Sequence, residues 1–347
     1  MYAVKAYAAQ SATQPLTPFD FSRRDLGPKD VLIDIKFCGI CHSDIHQVRN
    51  EWGGSTYPMV PGHEIVGLVA DAGLKVKRFK IGDKVGVGCL VDACRECPDC
   101  KDGHEQFCLH PVFTYNNLEK DGKALAQGGY STRIVVDENF VLQVPPKMSL
   151  NAAAPLLCAG ITTYSPLRHW KAGPGKKIGV IGLGGLGHMA VKIAKAMGAE
   201  VTVLSRSRNK ETDAKRLGAN HYIATSEANV FDKLARTFDI IICTVSTGID
   251  WNQYLGTLMR DGTMVLLGVP PKAVSVEAGR LIFGRHSLAG SLIGGIRETQ
   301  EMLDFCGKHN IVSDIEVIPI QKVNEAYERV IKGDVKFRFV IDMASLK

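Results

Sequence analysis

Short apolar runs broken at Gly, Pro and Asp turns dominate the first 150 positions of the chain. Val31-Leu32-Ile33-Asp34-Ile35, Ile65-Val66-Gly67-Leu68-Val69 and Ile134-Val135-Val136 are the clearest, and their length and bounding residues predict strands. After Val144-Pro145-Pro146 the rhythm changes. From Lys177 to about Gly268, apolar segments alternate with helical patterns, the first of which spans Gly185 to Met197. The segments are Ile178–Ile181, Val201–Leu204, Asp239–Ile242 and Thr263–Leu267. Apolar runs without polar alternation suit strands buried on both faces, as in a parallel sheet covered by helices. The series predicts a doubly wound nucleotide-binding domain. Beyond Gly290 the pattern predicts a helix (Arg297 to His309), a strand, a second helix (Lys322 to Lys332) and a last strand, Phe337 to Ile341. This tail is too short for a domain and is expected to return to the N-terminal β region. The fold class is therefore α/β, with a β-rich domain of residues 1–153 and 295–347 and a doubly wound domain of residues 154–294.

Within that alternation, strand Ile178–Ile181 runs directly into Gly182-Leu183-Gly184-Gly185-Leu186-Gly187 and then a helix. A glycine turn alone is a weak signal. Placed between a buried strand and a helix it becomes specific for a dinucleotide, whose pyrophosphate rests on the helix N-terminus. At the end of the second strand an Asp or Glu would hold the free ribose hydroxyls of NAD. The chain has Ser205, Arg206, Ser207, Arg208, Asn209 and Lys210 instead. Hydroxyls and cations without a carboxylate suit the 2′-phosphate of NADP(H).

Composition narrows the class. The apolar share of 45% and charged share of 22% are ordinary for a soluble globular protein. A net charge of +6 is modest and dispersed, unlike the basic stripe of a nucleic-acid binder. Asn151 to Leu167, the longest uncharged run, is too short to span a bilayer, and Met1-Tyr2-Ala3-Val4-Lys5-Ala6 has no signal-peptide core. A cytoplasmic protein without membrane or nucleic-acid partners is expected.

The chain has ten cysteines, and four of them form C-x2-C-x2-C-x7-C at Cys94, Cys97, Cys100 and Cys108. Four close thiolates can complete a tetrahedral shell around a structural zinc ion. An iron–sulfur cluster would accept the same set, so spacing alone leaves both open. A second set draws on distant segments: Cys41, followed by Ser43, Asp44 and His46; then His63 and Glu64; then Cys158. A Cys2His set leaves zinc a fourth position for substrate, although a buried cysteine is more often a small hydrophobe. Cys38, Cys89, Cys243 and Cys306 are expected simply to pack.

Several of these segments, in order, resemble the zinc-containing medium-chain dehydrogenases, and within them the cinnamyl alcohol dehydrogenase branch. The likeness rests on Cys38-Gly39-Ile40-Cys41-His42-Ser43-Asp44-Ile45-His46, Tyr57-Pro58-Met59-Val60-Pro61-Gly62-His63-Glu64 and Ala154-Pro155-Leu156-Leu157-Cys158-Ala159-Gly160. It continues through Gly182 to Gly187, Gly290-Ser291-Leu292-Ile293-Gly294 and Arg338-Phe339-Val340-Ile341-Asp342. The resemblance implies a GroES-like catalytic domain and a Rossmann domain, a homodimer, two zinc ions per chain, and an active site in the cleft between domains. It implies that Cys41, His63 and Cys158 hold the catalytic zinc, with Glu64 in or near its shell, and that the four clustered cysteines hold the structural one. Ser43 and His46 match the family's proton-relay positions. Asp44 is expected to orient His63 rather than to ligate. Thr162, Gly182, Gly184, Gly185, Leu186, Gly187, Ser205, Arg206, Ser207, Lys210, Val269 and Ile293 match its cofactor site.

The substrate side departs from the plant pattern. Trp52 stands where lignin-alcohol enzymes have leucine, and they carry a tryptophan near Phe113. Trp52, Phe113, Leu292 and Ile293 are the expected pocket walls, with Tyr115 beside them. Arg206 replaces a serine common in that branch. The expected activity is NADP(H)-dependent interconversion of primary alcohols and aldehydes, aromatic or medium-chain. A polyol or secondary-alcohol dehydrogenase of the same superfamily is the rival enzyme. A zinc-ribbon binding module is the rival of another class, although it would need neither the glycine turn nor a second metal set.

Overall fold

The computed structural model covers residues 1–347 and places strand Asp30–Gly39 at the centre of a seven-stranded sheet. Its order is Leu142–Gln143, Lys84–Val87, Ile65–Ala72, Asp30–Gly39, Arg338–Asp342 and Ile315–Pro319, with Arg133–Asp137 also pairing to the central strand. Val31, Ile33 and Cys38 of that strand are fully buried. The chain divides into two compact units, Met1–Cys158 with Gly294–Lys347, and Ala159–Ile293. The C-terminal tail enters the first unit as a strand, with Val340 opposite Gly39 and Ile341 opposite Cys38. On the other side Cys38 faces Ile65. The residues just past Gly39, just before Ile65 and at Arg338 are therefore neighbours, although most of the sequence separates them.

The second unit is a six-stranded sheet paired in parallel throughout. Its order is His221–Ala224, Glu200–Ser205, Lys177–Ile181, Phe238–Cys243, Leu258–Leu266, Ser287–Gly290. Numbered along the chain this is 3-2-1-4-5-6, the Rossmann order, with a switch point beside its first strand. Leu204, Phe238, Ile241, Cys243, Leu255, Leu258 and Met264 form its core. Helix Gly187–Ala196 lies against the first two strands, burying Met189, Ala190, Val191, Ile193 and Ala194.

Sequence and structure differ in several respects. The first helix begins at Gly187 rather than Gly185, because the preceding residues form the glycine turn. Strands His221–Ala224 and Ser287–Gly290 were not legible as apolar runs. They lie at the sheet's two edges, and the latter has no fully buried residue. The unit boundary falls after Cys158 instead of Ala153. Residues Ala154–Leu157 are buried and pack on the strands of the first sheet, so they belong to that unit. Likewise Gly294 belongs with the tail. No helix is long and apolar enough to cross a membrane.

Candidate active site

Cys41 sits where the central strand ends and helix His42–Val48 begins. Its backbone N–H donates to Asp44 Oδ2 at 2.8 Å, which ties the helix start to a fully buried carboxylate. Two steps before Ile65 the chain presents His63 and Glu64, and Cys158 closes the turn Ala154–Leu157. One donor atom from each of Cys41, His63, Glu64 and Cys158 lies within 4.8 Å of the others, and all four residues are buried. Gly39 makes room for this set, since a Cβ there would fall 1.9 Å from Glu64 Oε2.

The set fits a zinc ion on two observations. Two thiolates about 2.3 Å from a tetrahedral zinc stand about 3.8 Å apart, and Cys41 Sγ and Cys158 Sγ are separated by 3.8 Å. Glu64 Oε1 pairs with the buried Arg338 guanidinium. Glu64 Oε2, equally buried, has no hydrogen-bond partner, a costly state that a nearby cation relieves. The electrostatics agree. Burial pushes the Glu64 carboxyl up to about 7, against the pull of Arg338. The hydrogen bond from Cys158 holds the Cys41 thiol well below the usual thiol range, helped by Arg338 and His63. Cys158 is pushed up by the same bond. Metal binding would deprotonate both thiols.

His63 Nδ1 lies 3.0 Å from Asp44 Oδ1. A carboxylate only accepts, so Nδ1 carries the proton and Nε2 is left for a metal. Burial would depress this imidazole, but Asp44, together with the Cys89 and Cys41 thiols, offsets it and raises the pKa well above the usual value. Asp44 also accepts from Gly62 N–H at 3.2 Å and from Tyr130 hydroxyl at 3.4 Å. Asp44→Asn should therefore weaken zinc at this set by about 10–100-fold. Chelator competition would check it, with zinc at the Cys94–Cys108 loop unaffected.

Ser43 Oγ lies 3.6 Å from Cys41 Sγ. The His46 ring neighbours those of His42 and Trp52, at centroid distances of 4.8 and 4.7 Å, and its Nδ1 bonds the Glu51 carboxylate. Tyr115 stacks on His63 at 5.9 Å. Phe113 is partly exposed, beside Cys94, Leu109 and Leu118. Four contributors escaped the sequence reading. Glu51 had no pattern to mark it. Arg338 stood out only as a cation inside a buried strand, Arg338–Asp342. Tyr130, in no motif, donates its hydroxyl to Asp44, and Cys89, expected to pack, has its Sγ 3.9 Å from Leu157 O.

The Cys94, Cys97, Cys100 and Cys108 donors form the second close set. Cys94 Sγ and Cys100 Sγ are 3.8 Å apart. Backbone N–H groups of Glu96 and Cys97 point at Cys94 Sγ, that of Cys100 at Cys97 Sγ, and that of His110 at Cys108 Sγ, all within 3.3–3.4 Å. Such donors favour thiolates, and those to Cys94 bring its thiol down to about 6. Arg95 braces the loop through Asp92 and Asp137.

In the second unit Gly182 takes φ of 86°, and a Cβ at Gly187 would lie 2.2 Å from the Gly182 carbonyl oxygen. Both positions demand glycine. Gly184 is exposed with open space where a Cβ would be, Gly185 and Leu186 are half-buried, and helix Gly187–Ala196 follows. Ser205 ends its strand half-buried, and Arg206 and Ser207 are exposed. Arg208 is committed to Glu211 and Glu227. Lys210 Nζ donates to Leu183 O at 3.0 Å, joining the basic turn to the glycine turn. Thr162 is buried in helix Ala159–His169, whereas Val269 and Leu292 are exposed and Ile293 is half-buried.

Two family models match the chain: an alcohol dehydrogenase GroES-like domain over residues 27–146 and a zinc-binding dehydrogenase over residues 185–308. The chain is 59% identical over 349 residues to NADP-dependent alcohol dehydrogenase C 1 of Mycolicibacterium smegmatis, covering 100% of both. A cinnamyl alcohol dehydrogenase of Sorghum bicolor is similar in structure, with a TM-score of 0.96 at 46% identity over 99% of each chain. So is the CAD of Helicobacter pylori, solved in complex with NADP(H), with a TM-score of 0.94 at 47% identity over 100% of this chain and 99% of that one.

Proposed function

Because the chain belongs to the zinc-binding alcohol dehydrogenases, in the cinnamyl alcohol dehydrogenase branch, and interconverts alcohols and aldehydes with NADP(H), we propose how its residues divide that work. The carrying observation is the buried donor set of Cys41, His63, Glu64 and Cys158. Cys41, His63 and Cys158 hold the catalytic zinc, with Glu64 as the neighbouring carboxylate. Cys94, Cys97, Cys100 and Cys108 hold the structural ion. The zinc supplies Lewis acidity, favouring proton loss from an alcohol and electrophilicity of an aldehyde carbonyl. The nicotinamide supplies or accepts the hydride.

Ser43 is the group that takes up or returns the substrate hydroxyl proton, and His46 conveys it toward solvent. The bond from His46 Nδ1 to Glu51 supports this role, because it leaves Nε2 as the acceptor. The unit of residues Ala159–Ile293 binds NADP(H) through Gly182, Gly184, Gly185, Leu186 and Gly187 at the pyrophosphate. Ser205, Arg206, Ser207 and Lys210 take the 2′-phosphate, Arg206 having no competing ion pair. The rings of Trp52 and Tyr115 beside His46 and His63 favour aromatic and medium-chain aldehydes.

Assays of cinnamaldehyde, benzaldehyde, hexanal and a sugar alcohol with each cofactor test this reading. We expect kcat/KM with NADPH about 10²-fold above NADH, the advantage of roughly one pair of charge-assisted bonds, and aldehydes preferred to sugars. A preference for polyols would overturn the substrate assignment. We also infer a homodimer, supported by Ile282 and Phe283, which are 71% and 90% exposed shortly before edge strand Ser287–Gly290. A cytoplasmic location is supported by ten free thiols, a state that a reducing compartment preserves.

A further inference from the structure

We infer that Asn116 is a positioning residue that sets the preference for aromatic aldehydes: its amide clamps the turn carrying Trp52 and so holds the indole in one place. The inference rests on the substrate role proposed for the Trp52 ring. No helix or strand covers residues 49–64. Trp52 stands near the start of this stretch, 46% exposed, and is followed by Gly53 and Gly54 with φ of 78° and 73°. Open space surrounds the Cβ position of both glycines, so no packing restrains the chain there. The indole itself meets His46, at 4.7 Å between ring centroids. Holding a large ring on such a turn costs conformational entropy, and the restraint has to come from elsewhere.

It comes from the segment Thr114–Asn116. Thr114 is buried and fixed twice, its backbone N–H to Cys89 O at 3.0 Å and its hydroxyl to Gly88 O at 2.5 Å. Tyr115, also buried, stacks on His63. Asn116 follows at φ 53°, a left-handed conformation that asparagine takes more readily than most residues. Its Oδ1 accepts from Thr56 N–H at 2.8 Å. A backbone N–H can only donate, so the amide has one orientation and Nδ2 is left to donate to Gln47 Oε1, at 2.7 Å. One side chain thus ties both ends of the turn to an anchored segment, Gln47 in helix His42–Val48 before Trp52 and Thr56 after it. Ser55 Oγ donates to Gln47 O at 2.5 Å and Tyr57 hydroxyl to Val48 O at 2.8 Å, which closes the turn on the helix but not on that segment. Without the Asn116 amide the turn keeps its local bonds and loses its outside tie, so the indole spreads over several positions. An aromatic substrate gains from a ring held at a defined angle, whereas an aliphatic one needs only apolar surface.

The test is a double-mutant cycle on the zinc-loaded enzyme with NADPH, cinnamaldehyde and hexanal. Asn116→Gly adopts φ of 53° without strain and removes only the amide, and Asn116→Ala replaces it if glycine destabilises the chain. The ratio of kcat/KM for cinnamaldehyde to that for hexanal should fall about tenfold, the upper end of what one aromatic contact contributes. The fall should come mainly from a higher KM for cinnamaldehyde. Acrylamide should quench tryptophan fluorescence more strongly in the variant, while bound zinc and the NADPH Kd stay at wild-type values. In a Trp52→Ala background the Asn116 change should move neither the ratio nor the quenching. Suppose instead that Trp52→Ala lowers the ratio but Asn116→Gly does not, that the two effects multiply, or that the Asn116 variant loses zinc or NADPH affinity. Any of these would overturn the clamp and leave the role of Trp52 standing. An unchanged ratio in Trp52→Ala itself would overturn the role of that ring.

Discussion

Cys158→Ala should lower kcat by at least about 10³-fold and bound zinc from two ions per chain to one, with NADP(H) affinity nearly unchanged. A Lewis acid lowers the barrier by several kcal/mol, and about 4 kcal/mol corresponds to roughly three powers of ten. Removing this sulfur leaves one thiolate, one imidazole and a carboxylate already engaged by Arg338. It also breaks the 3.8 Å contact between Cys41 and Cys158 that lowers the Cys41 thiol, so the surviving sulfur becomes a poorer ligand. The loop of Cys94, Cys97, Cys100 and Cys108 keeps its own donors and should keep its ion. Metal analysis, single-turnover kinetics and NADPH fluorescence titration read the three quantities separately. A variant with two zinc ions and normal kcat would remove Cys158 from the site.

Ser205→Asp should shift cofactor preference, measured as the ratio of kcat/KM values, by about 10²-fold toward NAD(H). A hydroxyl that can donate to a phosphate oxygen becomes a carboxylate that repels it and can accept from free ribose hydroxyls. Loss of a charge-assisted bond is worth about 1.5–3 kcal/mol, a factor of roughly ten to a hundred before repulsion is added. Ser205 is half-buried at its strand's end, where the new charge is less screened than on an open surface. Arg206, exposed and without an ion-pair partner, remains to attract the phosphate, so the shift stops short of full reversal. An unchanged ratio would show that the 2′-phosphate lies elsewhere.

The glycine turn and the four clustered cysteines were legible because their chemistry is local. A turn that needs φ of 86° at Gly182 and contact at Gly187 can be built from few residue types. Four thiols within fifteen residues can meet with little help from the rest of the chain. The set of Cys41, His63 and Cys158 was not legible from spacing. It came from resemblance, because the three ride on separate elements brought together by strand pairing. Arg338 shows the limit most plainly. A cation within an apolar run is its only local mark, and the pairing of Arg338–Asp342 with Asp30–Gly39 is what buries its guanidinium against Glu64.

Sequence alone determined the alternation that builds the parallel sheet, the glycine turn, the absence of a carboxylate after the second strand and the four-cysteine loop. Each depends on contacts within a few residues or on the period of apolar positions. Only the tertiary structure decided that residues 154–158 belong with the first unit, that Asp44 sets the tautomer of His63, and that Glu64 carries an unpartnered oxygen. These depend on burial and on the register of distant strands. A residue's neighbours across a sheet are set by the packing of the whole chain and leave no mark on its own stretch of sequence.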